Sequence, residues 1–518
     1  MADEELAAQL EDILATDTEA FQARVDDDVE LIKEGLRNGV FDNPQAIIGF
    51  EYEFYAVDDE TCALRRVPRR LLELIDFEKE LGLHNAEMTT NPQPLNAHGL
   101  RAQESEIKAR LETALEVAET EGMRLVSDGI WTVPPAGNTA GKYLSDCVER
   151  MITVDGRERS ARIAANMSAA ARYHAMANSE EARAAGMHIE APHVTLDSKT
   201  VMPESLITSI QPHYQVPHAV DLPVYFNYAI RIAGPLLALG VNSPFFPPDL
   251  YDEGVTGEEI LREGWMENRI TVFETVLNDP TVPAGKVRFP DDLATTEQAV
   301  ERIADDDTFV PMPVSGGNRF DDQFAHFRQK HGTYWRWVRP VFGGPSRSAA
   351  NARIEFRPIA AQPTVRDSVA FQAAFAGLLE SLVRTDHPVA DLEWERAHEN
   401  FYGAMRDGLE ADLAWITAEG TETTDRSQLF GDLLQQAEDG LRHRGLSDEE
   451  AAKYLYPLRR RVRKGLTPAG WKHQVVKRQL EDGAGFETAV SEMQHRYVAQ
   501  QRETLLEGSF ADWLSESG

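Results

Sequence analysis

"IIGFEYEFYAV", residues 47–57, sets Glu51 and Glu53 one residue apart inside an otherwise apolar and aromatic run. As a strand, the segment sends successive side chains to opposite faces. Ile48, Phe50, Tyr52 and Phe54 then share one face, and Gly49, Glu51, Glu53 and Tyr55 share the other. Glutamate is a poor strand former, and like charges on neighbouring same-face positions repel. Such a strand needs something on its acidic side to compensate the charge.

Two more strands have the same two-sided character. In "ITSIQPHYQVP", residues 207–217, Gln211, His213 and Gln215 lie opposite Ile210, Tyr214 and Val216. In "ANARIEFRPIAAQPT", residues 350–364, Arg353, Glu355 and Arg357 lie opposite Ile354 and Phe356. A hard divalent cation would resolve the clash of Glu51 with Glu53, because Mg²⁺ seeks carboxylate oxygens and bridges to phosphates. Arginines beside Glu355 can hold phosphate oxygens or a substrate carboxylate in bidentate fashion. Together the parts describe a phosphoryl-transfer site. Taken singly, each strand also fits the solvated face of an antiparallel sheet or a cross-strand ion-pair ladder. No Gly-x-x-x-x-Gly-Lys loop and no Gly-x-Gly-x-x-Gly after a strand is present, so metal and arginine would have to hold the phosphate.

The net charge of −34 over 518 residues excludes nucleic acid and anionic membrane as partners, since both would be repelled. Acidic residues are spread along the chain and lysine is far rarer than arginine, which suits solubility in concentrated salt, as in a halophile cytosol. Cys62 and Cys147 are the only cysteines, too few for a disulfide framework or a Cys-rich zinc site. The acidic, amphipathic start is unlike a signal peptide. The longest apolar run, "AIRIAGPLLALGV", is interrupted by Arg231 and Pro235, so no membrane span is expected. The expectation is a soluble cytoplasmic protein; the sequence is silent on oligomeric state.

The length admits two to four domains, or one large domain with additions. Helical periodicity runs through residues 1–39, and 67–82 reads as a short helix. Strands follow at 84–96 and 122–135, separated by an amphipathic helix at 98–122 with Leu100, Ile107, Leu111, Leu115 and Ala118 on one face. Residues 155–186, rich in Ala, Arg and Ser, read as helical and mobile. A β signal at 188–197, a buried helix at 223–246 and a loop-like stretch at 279–322 come next. From about 365 the chain reads as almost wholly helical. Strands scattered among helices without β-α alternation predict an α+β fold. The expected division is a helical segment at 1–40, a catalytic domain at 41–385 and a helical region at 386–518 packed on it.

"GFEYEFYAV", "AEMTTNPQPL" before a long helix, "SIQPHYQVP", "LALGVNSPFF" and "ARIEFRPIAAQPT" follow one another as in glutamate–cysteine ligases. The likeness is greatest to the branch shared with the bacterial carboxylate–amine ligases. "GLSDEEAAKYLYPLRRRVRKGLTPAGW" also resembles the C-terminal region of that family, so the resemblance covers roughly residues 45–480. It implies a glutamine-synthetase-like curved, mainly antiparallel catalytic sheet flanked by helices, binding ATP and Mg²⁺, with Mn²⁺ as the alternative ion. The implied reaction phosphorylates the γ-carboxylate of glutamate and lets the amine of cysteine displace phosphate, as in glutathione biosynthesis. Glu51, Glu53, Glu87, His213 and Glu355 match metal-ligand positions. Glu355 and Arg357 match catalytic ones, and Gln211, Arg269, Arg353 and Arg357 fall where substrate or phosphate is held. Some relatives read His-x-His where this chain has Gln211-Pro212-His213, and Pro212 implies a bulge or a sheet edge. Segment 145–190 and the tail beyond 480 have no counterpart in the resemblance. Two other readings stay open: the same activation with another amine acceptor, and a degenerate homologue that binds nucleotide or amino acid to regulate something else.

Overall fold

The computed structural model describes residues 2–179, 187–279, 285–314 and 316–514. In chain order the strands are β1 (Ile47–Asp58), β2 (Glu78–Lys79), β3 (Asn85–Thr89), β4 (Gln93–Pro94), β5 (Met123–Val126), β6 (Cys147–Val154) and β7 (Arg157–Ala164). They continue with β8 (Met187–Ala191), β9 (Val194–Ser198), β10 (Ile210–Val216), β11 (Val338–Gly343) and β12 (Asn351–Phe356), and β13 (Trp415–Ile416) and β14 (Glu422–Thr423) pair as a small hairpin within the mostly helical last third. A curled antiparallel sheet runs in the order β11-β12-β10-β1-β3-β2, and β4 and β5 also pair with β1. Chain segments far apart in sequence thus meet at β1, and the fold is α+β around a curled, antiparallel sheet flanked by helices.

The period-2 pattern decides which face packs. Phe50, Tyr52, Phe54, Ile210, Tyr214, Ile354 and Phe356 are all buried on one side. Helix Val365–Thr385 packs on β10 and β1 there, and helix Ala97–Thr120 covers β4 and β5. The amphipathic face expected for that second helix is the buried one, with Leu100, Ile107, Leu111 and Ala118 inside. Behind it, Tyr52 Oη and Ser127 Oγ hydrogen bond at 2.8 Å.

The later helices interlock with this core. Gly465 takes the left-handed conformation (φ 60°) that ends helix Asp448–Lys464, and Thr467 caps helix Pro468–Glu481 with Pro468 in its first turn. The Gly-x-Thr-Pro-Ala signature is therefore a helix stop followed by a helix start. From the last long helix, Phe486–Thr504, Gln501 Nε2 donates to the carbonyls of Ser127 (2.7 Å) and Pro363 (2.9 Å). At the other end of the chain, Asp28 on helix Thr18–Arg37 accepts from the backbone N–H groups of His326 and Phe327 at 2.9 and 3.0 Å.

Three expectations need correction, and one, for Pro212, is met. Residues 147–164 form the β6–β7 hairpin, turning at Asp155 and Gly156, both at positive φ, so the first part of the expected helix 155–186 is a strand. Among the described residues of 155–186, Ala171–Met176 is helical, and residues 180–186 lie outside the described residues. The stretch 279–322 contains helix Thr296–Ala304 as well as loop. Pro212 lies in an interior strand opposite Phe50, and the expected bulge is there: on the β12 side His213 pairs with Glu355, but pairing resumes at Ser209–Ala360, one residue out of register. The proline nitrogen faces that irregular stretch, where the regular ladder is interrupted. Finally, the segment Ala219–Gly240 is long and apolar enough to cross a membrane by length and composition, yet 83% of its apolar window is buried inside the protein.

Candidate active site

Register brings the polar residues together on the face opposite the core. Glu51 pairs with Gln211, Gly49 with His213, and His213 with Glu355, while Glu53 pairs with Glu87. Antiparallel partners share a face. All five expected metal-binding residues therefore lie on one surface of the sheet.

Two cavities open on that surface, with Glu51, Thr89 and Arg339 common to both walls. One, of about 430 Å³, is acidic: Glu53, Glu80, Glu87 and Glu204 line it with Gln211 and Arg357. The other, of about 490 Å³, is lined by His213, Glu355, Arg353, Arg319, Arg328 and the Phe342–Pro345 turn.

At their junction Arg357 Nη1 donates to Glu355 Oε1 at 2.6 Å and to Gln211 Oε1 at 2.5 Å. Arg339 Nε reaches the same Glu355 oxygen at 2.9 Å. Gln211 Nε2 in turn donates to Glu53 Oε1 at 2.8 Å, and the Ser209 N–H donates to Glu53 Oε2 at 2.6 Å. Gln211 thus links the acidic group to the arginines. Arg269 Nη2 donates to the carbonyls of Arg357 (3.0 Å) and Pro358, and its guanidinium lies over the Trp337 ring, so it fixes the end of the strand that carries Arg357.

Glu80 and Arg339 join the site without a motif that announces them. Glu80 follows β2, and one oxygen each from Glu53, Glu80 and Glu87 lies within 4.8 Å of the others. His213 Nε2 is 3.2 Å from Glu51 Oε1 but lacks hydrogen-bond alignment, so this buried nitrogen has no hydrogen-bond partner among the described residues. Crowded carboxylate oxygens and an orphaned imidazole nitrogen are a donor set that fits a hard divalent cation.

The charges divide into two groups. Burial, reinforced by Glu80, pushes Glu53 up to about 7. Burial and then the neighbouring Glu80, Glu51 and Glu53 carry Glu87 well above the usual carboxylate range. Burial also works upward on Glu355, but Arg339 and Arg357 outweigh it and hold that carboxyl well below the usual range. Glu51 is likewise lowered against burial, by His213 and Arg357.

A raised folded-state pKa means the folded chain binds the proton more tightly than the unfolded chain does. The stability contributed by Glu53 is therefore full below 4.5 and is lost as pH rises through about 7. Glu355 and Glu51 act in the opposite sense, losing their contribution only as pH falls below 4.5. Metal-free protein should melt lower at about pH 8 than at about pH 5, and Mg²⁺ should remove most of that difference. Thermal unfolding across this range, with chelator and with Mg²⁺, checks it; a flat metal-free profile would count against the acidic cluster.

A curled antiparallel sheet turns carboxylates and guanidiniums to an open cleft, and this chain falls in the class of carboxylate–amine ligases. Within that class, the model of glutamate–cysteine ligase family 2 matches residues 47–501, and the chain belongs to that family. The match runs past residue 480, so most of the last long helix lies inside the family region. Among solved structures, the glutamate–cysteine ligase of Francisella tularensis in complex with AMP is 12% identical, with a TM-score of 0.49, over 92% of this chain and 93% of that one. A bifunctional glutathione synthetase from Pasteurella multocida is 14% identical, with a TM-score of 0.50, over 92% of this chain and 55% of that one. At such identity the second likeness is one of fold. No curated protein matches the sequence.

Proposed function

We propose that the protein uses ATP to phosphorylate the side-chain carboxylate of glutamate and passes the γ-glutamyl group to an amine, with cysteine the first candidate. The observation that carries this reading is Arg357, bonded to Glu355 and Gln211 where the acidic cavity meets the arginine-lined one. The triphosphate belongs in the cavity with Arg319, Arg328 and Arg353, and glutamate and amine belong in the acidic cavity. A glutamate carboxylate oxygen attacks the γ-phosphorus, the bond to ADP breaks, and an acyl phosphate forms. The amine nitrogen then attacks the acyl carbon, phosphate leaves, and the nitrogen gives up a proton.

In this scheme Arg357 places a planar fork of N–H donors on the phosphoryl group as its charge develops. Glu355 fixes the guanidinium through one oxygen, Oε1, and no described residue donates to its Oε2. Mg²⁺, or Mn²⁺ in its place, would be held by Glu53, Glu80 and Glu87 and by Glu51, His213 and Glu355, and when bound it would supply charge neutralisation at the phosphate oxygens. The acidic surface fits a salt-rich cytoplasm, and cysteine as acceptor fits a role in glutathione biosynthesis.

ADP release measured with glutamate and a panel of amines, cysteine included, tests the reading. Release should require glutamate, an amine and Mg²⁺, should be greatest with cysteine, and should vanish with a chelator. ADP release unaffected by omitting glutamate would overturn it.

A further inference from the structure

A third cavity, of about 720 Å³, lies between helix Thr18–Arg37, the stretch 304–309 and the end of helix Ala325–His331. Leu277 lines both this cavity and the acidic one. Phe309, on the third cavity, meets Trp335, on the acidic one, edge to face at 6.2 Å. None of the residues assigned to the ligase reaction lines it.

Among the buried charges here, cations outnumber the carboxylate they share. Lys286, Lys330 and Arg336 are all buried, and Asp306 takes Lys286 at 2.5 Å and Arg336 at 2.8 Å. Lys330, on the cavity wall and 4% exposed, pairs with no carboxylate. Its ammonium donates to two neutral oxygens, Gln22 Oε1 at 2.8 Å and Thr308 Oγ1 at 2.6 Å, and its third N–H has no acceptor among the described residues. Burial first, and then the nearby Lys286, push that ammonium down to about 8.

The opposite charge stands at the other end of the same carboxamide. Gln22 Nε2 donates to Asp26 Oδ1 at 3.0 Å, and no described residue donates to Asp26 Oδ2. Gln22 therefore has Lys330 at its oxygen and Asp26 at its nitrogen, and all three residues line the cavity. Leu277, Ala304 and Phe309 give the cavity an apolar stretch of wall.

A buried ammonium with only neutral acceptors is costly, and an arriving carboxylate would relieve it. A simple anion would meet Glu19, Asp26, Asp305 and Asp307 on the same walls. A zwitterion carries its own compensation, because its ammonium can sit at Asp26 while its carboxylate sits at Lys330. The apolar wall suits a hydrocarbon side chain beside those two poles.

We propose that this cavity binds a free α-amino acid with an apolar side chain, its carboxylate on Lys330 and its ammonium on Asp26. The site is separate from the catalytic cleft and stands whether or not the ligase reading does.

The test is calorimetric titration of the full chain, without nucleotide. The probes are L-leucine, 3-methylbutylamine (leucine without its carboxylate) and 4-methylpentanoate (leucine without its ammonium). The wild type should bind leucine about tenfold or more tightly than either analogue. Lys330→Met should weaken leucine about tenfold or more and leave 3-methylbutylamine as in the wild type. Asp26→Asn, at an exposed helix position that costs the fold little, should weaken leucine and spare 4-methylpentanoate. Arg357→Lys should leave leucine binding unchanged. Absence of leucine binding by the wild type, or equal losses for leucine and its analogues in the Lys330 and Asp26 variants, would overturn the proposal. Leucine binding that is lost in Arg357→Lys and kept in Asp26→Asn would place the ligand in the catalytic cleft and overturn it as well.

Discussion

Arg357→Lys should lower turnover by about a hundredfold or more while moving the KM for glutamate little. Arg357 sits where its fork can meet the phosphoryl group in transit, and its strongest contacts in the resting site are to Glu355 and Gln211. A lysine ammonium offers one compact charge in place of a planar pair of donors and cannot hold two neighbours and a phosphate in one plane. An interaction realised mainly in the transition state appears in kcat and not in ground-state binding.

Glu355→Gln should fail differently. The amide keeps an oxygen for Arg339 and Arg357 but lowers the negative charge available to a cation, so added Mg²⁺ should restore part of the activity. Kinetics of both variants across a Mg²⁺ titration separate the two roles. Wild-type turnover in Arg357→Lys would mean that the Glu355 strand carries only an ion-pair ladder.

The residues that could be read from sequence were those on long strands with clean alternation. β1, β10 and β12 each put apolar residues on one side and ligand-like residues on the other, so alternation alone assigns Glu51, Glu53, Gln211, His213, Arg353 and Glu355 to faces. Glu80 was hidden because "DFEKELG" reads as the end of a short helix, and β2 has only two residues. The usable signal was a second glutamate seven positions before Glu87. Arg339 was hidden because Pro340 argues against a strand in "WVRPVFGG", although β11 is an edge strand and tolerates it. The β6–β7 hairpin did carry a sign, the Asp155-Gly156 pair that favours a tight hairpin turn. It was obscured by the Ala- and Arg-rich sequence around it.

The largest stability effect should come from the end of β1 beyond the acidic pair. Lys472, on helix Pro468–Glu481, donates to Asp128 Oδ1 and, at 2.7 Å, to the carbonyl of Asn242. Lys472 is 2% exposed and Asp128 is fully buried. Gln494 Nε2 donates to Asp128 Oδ2 at 3.2 Å and to Tyr55 Oη at 3.0 Å, so the group ties the late helices to β1 at Tyr55. Lys472→Met removes the cation and leaves a carboxylate in a dry site, where polar neighbours replace only part of the lost attraction. The expected cost is about 3–5 kcal/mol in denaturant unfolding. Burial already pushes Asp128 upward against the pull of Lys472, so without that lysine the group should protonate more readily and the deficit should shrink at low pH. Adding Asp128→Asn should recover much of the loss, because the pair is then neutral on both sides. Lys477→Met is the control: that lysine is 61% exposed and 4.0 Å from Glu481, and its loss should cost under about 0.5 kcal/mol. Equal costs for the two lysines would show that the buried pair does not hold the helical region to the catalytic sheet. A large difference, with the double variant recovering, would show that the acidic strand is supported by residues more than 400 positions later in the chain.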